Sequence, residues 1–171
     1  MVSSSIKGIL VVLILLFSTS MAFSETAREI DVSVDATLDR FNKEILGADG
    51  FIKKAKGVLI FPQVIKVGFG IGGEYGEGAL RIGGKTVEYY STMAASIGFQ
   101  FGAQAKSIIL VFTKDDALKA FRKNDGWKAG VDGSVALISL SMGDSLDTIN
   151  VKDHIVAFVF GQKGLMYNLT L

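Results

Sequence analysis

The chain has no cysteine and only one proline, one histidine and one tryptophan among its 171 residues. Without cysteine there is no disulfide and no thiol to acylate, so stability has to come from packing. One histidine and no cysteine supply no spaced set of transition-metal ligands, and neither a metal nor another cofactor is expected. Charge of one sign is lacking too: 18 Lys and Arg face 17 Asp and Glu. Lys7 is the only charged side chain of the first 24 residues, so the rest of the chain carries 17 of each. That balance gives no long-range attraction to nucleic acid, and an anionic partner would have to be met by a local patch.

What is present is apolar and rich in glycine: 49% of residues are hydrophobic and 20 are Gly. This suits one globular domain rather than a disordered chain. The amino terminus stands apart. Lys7 precedes an apolar run at residues 8–17, and Ser18, Ser20, Ala22 and Ser24 follow, the layout of a cleavable secretory signal. The run is shorter than the roughly 20 residues of a membrane-crossing helix. We therefore read residues 1–24 as a signal, cut after Ala22 or Ser24, and residues 25–171 as a single domain in the periplasm or cell envelope.

Over residues 27–46 the apolar positions Ile30, Val34, Leu38, Phe41 and Ile45 recur every three or four residues, the stripe of an amphipathic helix, with Gly47 as its stop. A short helix is expected over 48–54, turning Phe51, Ile52 and Ala55 inward and Lys53, Lys54 and Lys56 to solvent. Beyond Gly57 the period changes to that of strands, expected at 58–61, 67–75, 79–82, 86–90, 96–104, 107–112, 131–141, 155–160 and 165–169. Gly83-Gly84 reads as a two-residue hairpin turn and residues 161–164 as a hairpin loop. One further helix is expected at 115–122, capped by Thr113 or Asp115. The pattern is that of an α+β fold: a Gly-rich, mainly antiparallel twisted sheet or partial barrel packed with N-terminal amphipathic helices.

Eight glycines lie between Gly68 and Gly84, and Val67, Phe69 and Ile71 alternate with Gly68, Gly70 and Gly72. One face of such a strand carries large apolar groups and the other only hydrogen, which lets another backbone approach closely. Gly68, Gly70 and Gly73 satisfy the dinucleotide pattern G-x-G-x-x-G, but the helix that would hold the phosphates is missing, and Glu74 and Glu77 would repel them. Gly84-Lys85-Thr86 resembles the end of a phosphate loop, yet Ala79 stands where that loop needs glycine. His154 beside Asp153 would need Ser134, Ser139 or Ser141 brought to it for a catalytic triad, and no local motif marks such a serine. No enzyme activity is expected. Lys53, Lys54, Lys56 and Lys66 could meet lipid headgroups while Phe51 or Ile52 inserts; the alternative is a solvated helix face. Trp127 suits a membrane interface or a core cap equally.

Several blocks together carry a resemblance. Lys54-Ala55-Lys56-Gly57-Val58-Leu59-Ile60-Phe61-Pro62, then Lys66-Val67-Gly68-Phe69 and Gly72-Gly73, resembles the opening of a SYLF domain, the family also called Ysc84 or Las17-binding protein. Residues 98–104, the stretch 108–121, Gly130-Val131-Asp132-Gly133-Ser134-Val135-Ala136 and Lys163-Gly164-Leu165 are similar to its later blocks, in order, over residues 28–171. The resemblance implies a lipid-binding domain: eukaryotic relatives are associated with phosphoinositide membranes and actin regulation, and exported bacterial relatives with the envelope. For an exported chain it implies a non-enzymatic protein that binds an anionic phospholipid surface, and the positions that match the family's amphipathic helix and basic residues are Leu38, Phe41 and Ile45 with Lys53, Lys54 and Lys56. The alternative is a periplasmic structural or protein-interaction module, with an envelope protein as partner.

Overall fold

The computed structural model describes residues 26–124, 135–146 and 153–168. The expected signal, Trp127, Ser134 and the 130–134 part of the later block lie outside them.

The helix expected at the amino terminus is α1, Ala27–Glu44. Thr26 caps it: its hydroxyl accepts the Glu29 N–H at 3.3 Å while the Glu29 carboxylate accepts the Thr26 N–H at 2.8 Å, a reciprocal capping box. Ile30, Val34, Thr37 and Phe41 form its buried stripe. Gly47 breaks the chain in a left-handed conformation (φ 80°), and α2, Ala48–Lys53, follows.

Four strands then form one mixed, open sheet in the order β1-β2-β4-β3, with β1 Gly57–Ile82, β2 Lys85–Phe112, β3 Val135–Ser139 and β4 Ile155–Asn168. β1–β2 and β2–β4 are antiparallel and β3–β4 is parallel. Helix α3, Asp115–Lys123, follows β2. Its N-cap is Lys114, without a side-chain cap; the Thr113 hydroxyl instead donates to the carbonyl of Asp153 at 2.9 Å, tying the helix start to β4.

The alternation within consecutive apolar runs builds two core layers, one on each face of the sheet. Val58, Ile60, Ile109, Val111, Val156 and Phe158 face α1 and α2; Leu59, Phe61, Leu110, Phe112 and Ile155 face α3 through Leu118 and Phe121. Phe41 is central to the first layer, fully buried, with ring centroids 5.0 Å from Phe160 and 5.6 Å from Phe158.

Two expectations are corrected. The strands expected at 58–61, 67–75 and 79–82 are one continuous strand, β1, and those at 86–90, 96–104 and 107–112 are another, β2. The gaps left at 62–66, 76–78, 91–95 and 105–106 do not end the strands, which run through all four. The loop expected at 161–164 is likewise a bulge inside β4: the register shifts between Ala105↔Lys163 and Ser107↔Phe160 around Gly161 (φ 63°), Gly164 (φ 112°) pairs in register with Gln104, and the strand runs on.

A straight strand of this length would reach roughly 85 Å at 3.3 Å per residue. β1 instead bends, with its register slipping between Phe69 and Ile71 around Gly70 (φ 73°), and its end crosses its own beginning. Glycine allows the crossing: a Cβ on Gly78 would lie 2.1 Å from the Ile60 carbonyl oxygen, and one on Gly76 would lie 2.8 Å from that of Gln63. The backbone that approaches the glycine-rich strand is therefore its own first part. Gly78→Ala is expected to lower stability by about 3 kcal/mol through overpacking against backbone. Gly73→Ala, whose Cβ meets nothing nearer than 3.7 Å, is expected to stay within about 0.5 kcal/mol of wild type. Urea denaturation of the two variants checks the difference.

Candidate functional site

Polar contacts lock the returned end of β1 to α1. The Asp31 carboxylate accepts from the Thr86 hydroxyl at 2.6 Å and the Tyr89 hydroxyl at 3.0 Å, and Arg81 Nη2 lies 2.9 Å from Asp35 and 3.5 Å from Asp31. Chiefly the Thr86 hydrogen bond, and then the Tyr89 hydrogen bond and the Arg81 charge, hold the Asp31 carboxyl below its ordinary value. A second lock joins Arg122 of α3 to Glu88 of β2 at 2.9 Å.

The expected site residues divide. Phe41 and Ile45 are fully buried, so the apolar stripe of α1 faces the core and offers nothing to a surface. Phe51 and Ile52 are half-buried and pack on the same core, Phe51 edge-on to Phe158 at 5.5 Å. Lys53, Lys54 and Lys56 are exposed; Lys53 pairs with Asp49 at 2.6 Å and Lys56 with Asp115 at 3.5 Å. Lys66 stands apart from them, nine residues into β1 from Gly57 or roughly 30 Å along the strand. The structure thus brings Phe51, Ile52 and the first three lysines together around α2 and separates Lys66.

Lys66 belongs to a different surface, the bend of the sheet. Among the described residues helices cover only the base; at the bend Phe69 is 82% exposed, Leu165 73% and Ile71 72%, with Ile65, Val67 and Phe101 also exposed, while Met93, 80% exposed, lies further along, opposite Tyr75. Register explains why they meet. Ile65, Val67 and Phe69 alternate along β1 and stand opposite Ala105, Ala103 and Phe101 of β2, which in turn face Lys163, Leu165 and Tyr167 of β4. Phe69 and Phe101 stack edge to face at 5.0 Å. The charges of this part are Lys66, Lys106, Lys163 and Glu74, and among the described residues only Lys106 and Glu74 pair, at 3.0 Å. An exposed apolar surface with surplus lysine results, far larger than scattered single residues. The alternation of Val67, Phe69 and Ile71 with glycine was its signal in the sequence.

Gly68-Phe69-Gly70-Ile71-Gly72-Gly73 lies wholly inside β1, with strand and not helix after it. At His154 the hydrogen bonds from Thr113 end on the backbone carbonyl; among the described residues none joins its ring to Ser139 or Ser141. Among the described residues no helix is long and apolar enough to cross a membrane.

Residues 93–171 match the family model described as Ysc84: Las17-binding protein actin regulator. The match starts within β2 and takes in β4, while the block at residues 54–73 precedes it. No curated protein matches the chain.

The Asp31 lock gives a pH signature. Because its folded carboxyl is depressed, its contribution is complete above the unfolded value near about 4 and disappears as pH falls through the lower folded value. Asp31→Asn removes that component. Thermal melts at pH 7 and at pH 3 are expected to show a smaller acid-induced drop for the variant than for wild type, with the variant the less stable at pH 7.

Proposed function

We propose that this chain, which belongs to the Ysc84 family, is a non-enzymatic envelope protein that binds anionic phospholipid through the apolar bend of its sheet. The observation that carries the reading is the exposure of Phe69, Ile71 and Leu165 at the bend, with Lys163 two residues before Leu165 on β4 and, among the described residues, without an ion pair. Burying one such large side chain in the headgroup boundary is worth about 1.5–3 kcal/mol. A lysine near an anionic leaflet adds about 1 kcal/mol. Several of each suffice for reversible binding without a membrane-crossing segment. Lys53, Lys54 and Lys56 act as a second, electrostatic contact: the ion pairs of Lys53 and Lys56 are surface pairs of small worth, easily exchanged for phosphate. Lys66 serves the bend, whereas Phe51 and Ile52 can reach lipid only if α2 shifts.

The family description names Las17 and actin, but an exported chain meets phospholipid instead, and the features of residues 1–24 support export. A second reading is a periplasmic protein-interaction module without direct lipid binding. It is favoured by β1 being paired, among the described residues, on one side only, which offers a sheet edge to a partner strand.

Co-sedimentation of the full-length protein with phosphatidylglycerol-containing and with neutral vesicles across a salt series separates the two. The lipid reading expects binding to anionic vesicles that weakens with salt, falls about tenfold in Phe69→Ala and falls further in Phe69→Ala/Leu165→Ala. It expects only a modest loss in Lys53/Lys54/Lys56→Glu. No binding to any vesicle, or binding untouched by the double variant, would contradict it.

A further inference from the structure

Away from the bend, where the hairpin end meets the first turns of α1, a cavity of about 370 Å³ opens. Ala27 and Ile30 form its helix side, and Tyr75, Glu77, Tyr89 and Ser91 its sheet side. Strand register sets the arrangement: Tyr75 and Glu77 lie two apart on β1, Ser91 stands opposite Glu77, and Tyr89 stands two pairs further on, opposite Ala79. Tyr75, Tyr89, Glu77 and Ser91 therefore share one face of the hairpin. Tyr90 also borders the cavity, but its ring turns to the opposite face and packs against Phe121 at 5.1 Å.

The chemistry of this cavity has one sign. Tyr75 donates its hydroxyl proton to Glu77 Oε1 at 2.8 Å, and Tyr89 donates to Asp31 Oδ2 at 3.0 Å. Both hydroxyl protons are thus committed to carboxylates, and these hydrogen bonds raise both tyrosines above their ordinary value, so they stay neutral. What faces the cavity is acceptor oxygen and aromatic surface; among the described residues no lysine or arginine lines it. Arg81, the nearby cation, is only 14% exposed and is held by Asp31 and Asp35. Half-exposed tyrosine rings beside a carboxylate attract an organic cation through the ring faces and through charge, and repel anions.

We infer that the Tyr75–Glu77–Tyr89 cavity is a binding site for a small organic ammonium group. In this site the ammonium lies against the tyrosine rings with Glu77 as its counter-charge, and a substituent packs on Ala27 and Ile30. The group comes either from a free amine or from the headgroup of a zwitterionic phospholipid. The inference does not rest on the anionic bend, because a soluble amine needs no membrane.

The test titrates choline and ethanolamine into the full-length protein, followed by NMR shifts of the Tyr75, Glu77 and Ser91 amides. Vesicles with and without phosphatidylethanolamine, free of anionic lipid, form a second arm. Saturable shifts confined to the cavity are expected. Tyr75→Leu is expected to weaken binding about tenfold, as is Glu77→Gln, while Tyr75→Phe, which keeps the ring, stays within about threefold of wild type. A thermal melt of each variant shows that the fold is retained; should Glu77→Gln fail to fold, the contrast between the two Tyr75 variants decides. Binding of the soluble amines supports the site and makes a free amine its ligand. Binding only to phosphatidylethanolamine vesicles, lost in Tyr75→Leu, supports the site and makes the headgroup its ligand. No binding in either arm, or binding equal in Tyr75→Leu and wild type, overturns the inference.

Discussion

The crossing of β1 over itself is the constraint from which the rest of the structure follows. Residues 76–80 can lie against 60–64 only because Gly76 and Gly78 present no Cβ to the carbonyls of Gln63 and Ile60. Once the strand end has returned, Ala79 and Leu80 enter the two core layers, and Arg81, Thr86 and Tyr89 come within reach of Asp31 on α1. The same turn-back produces the bend. There the ladder passes beyond the reach of every described helix, and its large apolar side chains have no described helix to pack on. One backbone contact thus stands behind the core, the polar lock on α1 and the uncovered surface.

Much of this was legible in the sequence. The amphipathic helix at the amino terminus, the Gly83-Gly84 turn and the apolar strand runs at 58–61, 107–112 and 155–160 follow from period and turn chemistry. The continuity of β1 and β2 was not, because the strand pattern lapses at 62–66, 76–78, 91–95 and 105–106, and only the partner strands show that the ladder passes through those stretches. Gly161 and Gly164 misled in the same way. A positive φ marks a loop or a bulge equally, and only the partner strand decides which.

The candidate site was harder to place for a related reason. Periodicity reveals that a face is apolar; it does not reveal what covers it. The stripe of Ile30, Val34, Phe41 and Ile45 and the alternation of Val67, Phe69 and Ile71 are alike as patterns, yet the first fills the core and the second faces outward. Tertiary context separates them. Basic residues were equally ambiguous, since Lys53, Lys56 and Lys106 each found a carboxylate while Lys66 and Lys163 stand beside exposed apolar groups. The cavity at Tyr75, Glu77 and Tyr89 had no local motif at all: its residues come from three elements and meet only because β1 turns back.

The absence of cysteine makes the central claim directly measurable, because one introduced thiol can carry an environment-sensitive fluorophore without competition. Phe69→Cys labelled in this way is predicted to shift to the blue and brighten when the protein meets phosphatidylglycerol vesicles, while Lys54→Cys changes little. A blue shift at position 54 with position 69 unchanged would contradict the account and return the membrane contact to the α2 region.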